Sequence, residues 1–117
     1  MLHTLLAALL VLFASRGVAA AHPPDPAPVE EASHRIAILI DESAALSLPP
    51  RVERAFLLTL HAAGEAIRQG QVSQALTLLR TFAFEVRGVK RARRLRADTA
   101  DALIARAEDV IRTLGGP

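Results

Sequence analysis

The 117-residue sequence contains no cysteine, tryptophan or tyrosine, and its only aromatic side chains besides histidine are four phenylalanines. The absence of cysteine excludes a disulfide framework, a thiol nucleophile and a metal site built on thiolates. With so few rings, the chain has no stacking surface of the kind that single-stranded nucleic acid requires. Disulfide-stapled scaffolds and single-strand-binding proteins are therefore excluded before any motif is considered.

Lysine is almost absent as well, because thirteen arginines stand against a single lysine. With twelve acidic residues the formal net charge is only +2, which does not by itself imply a polyanionic partner. The abundance of alanine, leucine and arginine favours α-helix. We expect a helical protein without a nucleic-acid partner.

Residues 1–21 have the pattern of a secretory signal peptide. An apolar stretch over 5–14 is ended by Ser15, Arg16 and Gly17, and small residues follow at 18–21, as signal peptidase requires. The apolar stretch is too short to span a bilayer comfortably. We therefore expect cleavage rather than retention as a membrane anchor. The mature chain would be secreted or periplasmic, without stable membrane insertion.

Cleavage is expected after Ala20 or Ala21, because this is where the small residues end. Mass spectrometry of the exported chain should show a new N-terminus at Ala21 or His22. A membrane-bound product that retains Met1 would contradict the prediction.

Residues 22–33 hold four of the seven prolines and three acidic residues. Proline at this spacing favours extended chain over a packed helix, so this segment is predicted to be a flexible arm. The domain proper is predicted over 34–114. Its first helix should begin at Ser33 or His34, with Ser33 as N-cap, and end near Leu46.

The centre of the predicted domain is an apolar helical hairpin over 55–86, broken at Gly70. Its first helix is apolar nearly all round, which predicts a central position in a bundle. Its second helix has apolar residues at steps of three and four, and Phe82 is predicted to be a core anchor. A last helix is predicted from about Ala97 to Leu114. The fold class is an all-α, small antiparallel bundle of about four helices.

An ordered set of positions runs through the predicted domain: Ile36, Leu39-Ile40, Leu48-Pro49, Leu57-Leu58, Leu60, Ala62-Ala63, Ile67, Gly70, Ala75, Leu79, Phe82, Val86, Ala100-Asp101, Leu103-Ile104, Ile111 and Leu114. In this order the chain resembles the FIMAH domain, a small helical module of secreted bacterial proteins. The resemblance implies a non-catalytic domain, of a kind usually attached to larger extracellular enzymes and adhesin-like chains. The chain departs from the family pattern before the last helix. There, arginines lengthen the turn, and Arg96 or Ala97 stands where a Ser or Thr N-cap would be better.

The most distinctive polar feature is a predicted basic loop over 87–96. Six of its residues are cationic: Arg87, Lys90, Arg91, Arg93, Arg94 and Arg96. They are candidate contacts for anionic glycans, lipopolysaccharide or phosphate, which guanidinium groups bind in bidentate fashion. The alternative is a solvated connector whose charges pair with nearby acids such as Asp98.

The remaining polar residues do not form a recognisable catalytic or metal-binding motif. Ser43, Ser47 and Ser73 lack a glycine-flanked elbow. His61, between two apolar residues, is predicted to be a half-buried helix residue. His22 in the arm, beside the new terminal amine, could bind Cu²⁺ or Ni²⁺; the alternative, which we favour, is an ordinary polar residue of the arm. We expect a non-enzyme without cofactor.

Two functions follow from the sequence. The first is a non-catalytic helical interaction module that binds a protein or a cell-envelope component. The alternative is a small periplasmic metal- or ligand-binding protein that uses the histidine-bearing arm.

Overall fold

A computed structural model describes residues 26–116, and within that range the chain forms four α-helices and no strand. Helix α1 is Pro26–Ala44, α2 is Pro50–Arg68, α3 is Val72–Arg91 and α4 is Ala97–Thr113. The small all-α bundle expected from the sequence is confirmed. The predicted signal peptide, its cleavage site and His22 lie outside the described residues.

The helices form a closed ring of contacts. Helix α1 packs on α2, α2 on α3, α3 on α4, and α4 on α1. The direction of α3 and α4 is visible in two ion pairs, since Lys90 lies against Asp101 whereas the earlier Arg87 lies against the later Glu108. Consecutive helices joined by the short connections 45–49, 69–71 and 92–96 are therefore antiparallel neighbours.

The prediction that the first hairpin helix occupies the centre of the bundle is wrong. Helix α2 borders two helices like every other element, and its Leu58 is 64% exposed. The apolar residues of α2 that do enter the core, among them Phe56 and Leu60, lie along one stripe. Four helices in a ring share one core between them, so none of them needs to be surrounded.

The two largest core side chains connect α2 to α3. Phe56 and Phe82 are both buried and meet edge to face, with ring centroids 5.3 Å apart and planes inclined by 73°, a favoured aromatic geometry. The expectation that Phe82 is a core anchor is confirmed. Thr59 adds a polar link by donating a hydrogen bond to Glu85 at 2.7 Å. Other buried apolar residues include Ala32, Ile36, Leu39, Ala63, Ile67, Ala75, Leu79, Val86, Ala100, Leu103, Ile104, Ala107, Val110 and Ile111.

Helix α1 begins earlier than the sequence pattern predicts. Residues 26–33 of the expected flexible arm are helical, so Ser33 lies inside the helix and is not its N-cap. Proline is tolerated in a first helical turn, because the N–H groups there have no intrahelical partner. Ala32 is fully buried and Val29 packs against the core, which extends the stabilised part of the helix toward Pro26.

Helix α3 also extends further than expected. It runs through Arg91, so the first half of the predicted basic loop is helical and only 92–96 connects α3 to α4. The apolar side of α3 continues with Val86 in the core and Val89 packed against it. Because residues 87–91 of the basic segment are helical, the three cations among them have fixed positions on the surface of the bundle.

No helix within residues 26–116 is both long enough and apolar enough to cross a lipid bilayer.

Candidate functional site: a basic groove between α3 and α4

The C-terminal turns of α3 and residues 101–108 of α4 line an open groove of about 660 Å³. We call it the basic groove, defined by its lining residues Arg87, Lys90, Arg91, Arg93, Asp101, Ile104 and Glu108. Ile104 is buried and forms its apolar part. Four of the six cations predicted as anion contacts thus line one surface.

Two of the cations are paired with acids of α4. The Lys90 ammonium lies 2.6 Å from an Asp101 carboxylate oxygen, whereas the Arg87 guanidinium lies 4.0 Å from Glu108. The second contact is long, and both of its side chains are about half exposed. Exposed pairs of this kind contribute little to stability.

The other two cations of the groove are unpaired. Across residues 26–116, neither Arg91 nor Arg93 has an ion-pair or hydrogen-bond partner for its guanidinium group. The groove holds four positive groups and two carboxylates, so it keeps an excess of two positive charges. An anion entering it would meet two guanidinium groups without first displacing an acid.

The remaining two predicted contacts lie outside the basic groove. Arg94 lines a separate depression between α2 and α3, where Arg51 is also present. Arg96 pairs with Asp98 at 3.3 Å, as the connector interpretation expects for that residue. The expectation of one basic loop is therefore wrong, because only four of the six cations line the same surface.

Arg93 occupies an unusual backbone position at the end of α3. Its φ angle is +58°, in the left-handed region where a Cβ atom is strained. The Arg93 N–H donates to the Lys90 carbonyl at 3.0 Å, and the Arg94 N–H donates to the Val89 carbonyl at 3.1 Å. These two bonds form a Schellman motif with Arg93 at C′.

Helices α2 and α4 end in the same motif but have glycine at the equivalent position. Gly70 has φ +75° and Gly115 has φ +85°, and each begins the same pair of hydrogen bonds back to its helix. Glycine adopts this conformation without steric cost. Arg93 is the exception among the three, and the strained position holds its side chain at the edge of the basic groove.

Substitution of Arg93 by glycine should raise the free energy of unfolding by about 1 kcal/mol, because it relieves the left-handed strain. Urea titration followed by circular dichroism measures the change. Arg94→Gly is the matched control, since it removes the same charge from the next residue, which is not at positive φ. It should not stabilise the domain. A lower stability of Arg93→Gly would contradict the strain argument.

No other cluster within the described residues has the chemistry of a site. The Ser43 hydroxyl is fully buried without a hydrogen-bond partner there, so a substrate cannot reach it. His61 is exposed rather than half-buried, as is His34. No group of three His, Cys, Asp or Glu residues within 26–116 could hold a metal ion. The non-enzyme expectation remains a prediction.

One carboxyl group has a clearly perturbed pKa. Arg68 donates hydrogen bonds to Glu65 at 2.7 and 3.1 Å, and these bonds, aided by one from Gln69, hold the pKa of Glu65 below its ordinary value. The three residues are exposed and lie at the end of the α2–α3 hairpin opposite Arg91. They form the surface end of α2 and take no part in the basic groove.

Glu108 of the basic groove was not identified from the sequence, although a signal for it exists. Asp101, Ile104 and Glu108 recur at steps of three and four residues and therefore share one face of α4. The pattern does not identify the helix against which this face packs, because helical periodicity is a property of one helix alone.

Comparison of the chain with models of known protein families, with curated proteins and with solved structures finds no match. The resemblance to the FIMAH domain therefore remains a prediction from the sequence.

Proposed function

We propose that this chain is an exported, non-catalytic helical interaction module whose basic groove binds an anionic group of a protein or cell-envelope component. The observation that carries the proposal is that Arg91 and Arg93, which have no ion-pair partner within residues 26–116, lie beside Arg87 and Lys90 in one groove. Export rests on the signal-like residues 1–21, and the non-catalytic role rests on the resemblance to the FIMAH domain.

The chemistry of the groove suits an oxyanion. A guanidinium group offers paired N–H donors that match the oxygens of phosphate, sulfate or carboxylate. Arg87 can also contribute, because its 4.0 Å contact with Glu108 is easily exchanged for a closer one. Lys90 is held more firmly by Asp101 at 2.6 Å. Arg91 and Arg93 are therefore the main contacts, with Arg87 as the third.

The strain at Arg93 supports the same assignment. Non-glycine residues at positive φ are uncommon, and strained positions concentrate at functional sites. A glycine there would fit the backbone better, as Gly70 and Gly115 do at the ends of α2 and α4. An arginine at C′ lowers stability but adds a cation to the rim of the groove, which is the expected balance at a binding site.

Sodium pyrophosphate titrated into the chain should shift the backbone amide resonances of the groove, centred on Arg91 and Arg93. Replacement of both arginines by glutamate should abolish the shifts, since it reverses the sign of the unpaired charge. Wild-type binding should weaken steeply with salt, because exposed charges are screened beyond about 10 Å at 0.1 M ionic strength.

The control is the double substitution Arg51→Glu and Arg54→Glu on α2. It makes the same change in net charge at two exposed residues outside the basic groove, so pyrophosphate binding should survive. Absence of binding by the wild-type chain at low salt would overturn the proposal. Equal loss in both double variants would show that only net charge matters, and would overturn it too.

A further inference from the structure

The most exposed large apolar side chain within residues 26–116 is Phe84, at 67%. It lies on the outward face of α3, two residues from the fully buried Phe82. About two thirds of the side chain is therefore open to solvent. Single exposed apolar side chains are common on protein surfaces, so what distinguishes Phe84 is the set of cations around it.

Arginines flank Phe84 along the helix. Arg80 precedes it by four residues, and Arg87 and Arg91 follow it by three and seven. Residues at these spacings share one face of an α-helix. We call these four residues the Arg–Phe stripe; it extends over roughly 16 Å at 1.5 Å per residue.

The charge of the stripe is largely uncompensated. Arg80 and Arg91 have no ion-pair partner in the described part of the chain, and Arg87 has only the 4.0 Å contact with Glu108. Arg87 and Arg91 also line the basic groove, whereas Arg80 and Phe84 lie on the same helix outside it. A row of cations about 16 Å long with a ring in its middle complements an extended anionic surface better than it complements a small ligand.

We propose that the Arg–Phe stripe docks this module on an anionic phospholipid bilayer surface. The arginines would lie at the level of the lipid phosphates, and the Phe84 ring would enter the boundary between headgroups and acyl chains. The inference deepens the proposed function and shares Arg87 and Arg91 with it, but Arg80 and Phe84 belong to the stripe alone.

The expected binding is weak and reversible. Each arginine close to an anionic membrane surface strengthens binding about fivefold, and burial of the phenylalanine ring adds about tenfold over alanine. Contact of this kind requires no membrane-spanning helix, and none is found within 26–116.

The chain contains no tryptophan, so a single introduced indole reports on its own position. Phe84→Trp is the test variant, and Leu58→Trp is its matched control, because Leu58 is 64% exposed on α2 outside the stripe. Each exported variant is mixed with vesicles of phosphatidylcholine containing about one third phosphatidylglycerol, and separately with pure phosphatidylcholine vesicles. An N-terminal apolar segment, if retained, is common to both variants.

With the anionic vesicles, the Phe84→Trp emission should shift to the blue and be quenched by lipid-attached quenchers, whereas that of Leu58→Trp should not change. Pure phosphatidylcholine should leave both unchanged. Addition of Arg80→Glu should weaken vesicle binding at least fivefold and leave pyrophosphate binding in the basic groove intact. Arg54→Glu, which makes the same charge change outside the stripe, should weaken neither.

Three results would overturn the inference. One is the absence of a Phe84→Trp shift with anionic vesicles; if pyrophosphate still binds, membrane docking fails while the proposed function stands. Another is an equal shift of both reporters, which would indicate adsorption by any exposed apolar residue. The last is a shift of the Phe84→Trp emission with soluble polyglutamate but not with vesicles, which would make the occupant an acidic protein.

Discussion

Replacement of Phe82 by alanine should lower the free energy of unfolding by about 3–5 kcal/mol. The ring is fully buried on α3 and meets Phe56 edge to face at 5.3 Å. Its removal leaves a cavity between α2 and α3 that a close-packed core fills only in part. Because a domain of this size has only about 5–15 kcal/mol of total stability, the loss should be plain in a urea titration followed by circular dichroism.

Phe84→Ala is the control, since it makes the same chemical change on the same helix at an exposed residue. Its unfolding free energy should lie within about 0.5 kcal/mol of the wild-type value. If Phe82→Ala does not fold well enough to be measured, Phe82→Leu keeps most of the volume and should cost less. Equal losses in the alanine variants would mean that α3 packs through a different face.

Replacement of Ala107 by glutamate should lower the free energy of unfolding by roughly 4 kcal/mol or more. Ala107 is fully buried on α4, where a larger side chain overpacks the core and an ionised carboxylate loses its hydration without a partner. We expect loss of the cooperative transition near neutral pH. Part of the stability should return at acidic pH, because burial raises the pKa of the introduced carboxyl group and its neutral form is less costly to bury.

The matched control is Ala105→Glu. Ala105 lies two residues earlier on α4, and its side chain is exposed. The helix propensity and the change in charge are the same in the two variants, so only burial distinguishes them. A cooperative transition in Ala107→Glu that resembles that of Ala105→Glu would place α4 with a different face toward the core.

Helix boundaries could be predicted from the sequence at positions where a single residue constrains its own backbone. The two prolines at 49 and 50 mark the start of α2, and Gly70 marks its end through a left-handed C′ position. Such residues act through φ alone and need no distant partner. The same local reasoning failed at Arg93, which takes a conformation that its side chain disfavours, because the helix-terminating hydrogen bonds require it.

At the start of α1, tertiary contacts override a local sequence signal. Prolines at 26 and 28 predict extended chain when only neighbours are considered, yet both positions lie in the first turn of a helix. The choice is made by Val29 and Ala32, which contact the core formed by later helices. Free energy from those contacts outweighs a weak local preference.

The sequence by itself determined that the protein is helical, that four helices follow one another and which residues form their apolar stripes, because a 3.6-residue period is a local property of the chain. It did not determine which cations stand together. The basic groove depends on Arg87 and Lys90 meeting acids of α4, and the difference between Phe82 and Phe84 depends on which side of α3 faces its neighbours. Only the packing of the helices in a ring decided the groove and the burial of the two phenylalanines. Contacts between residues far apart in sequence produce no periodic pattern from which they could be predicted.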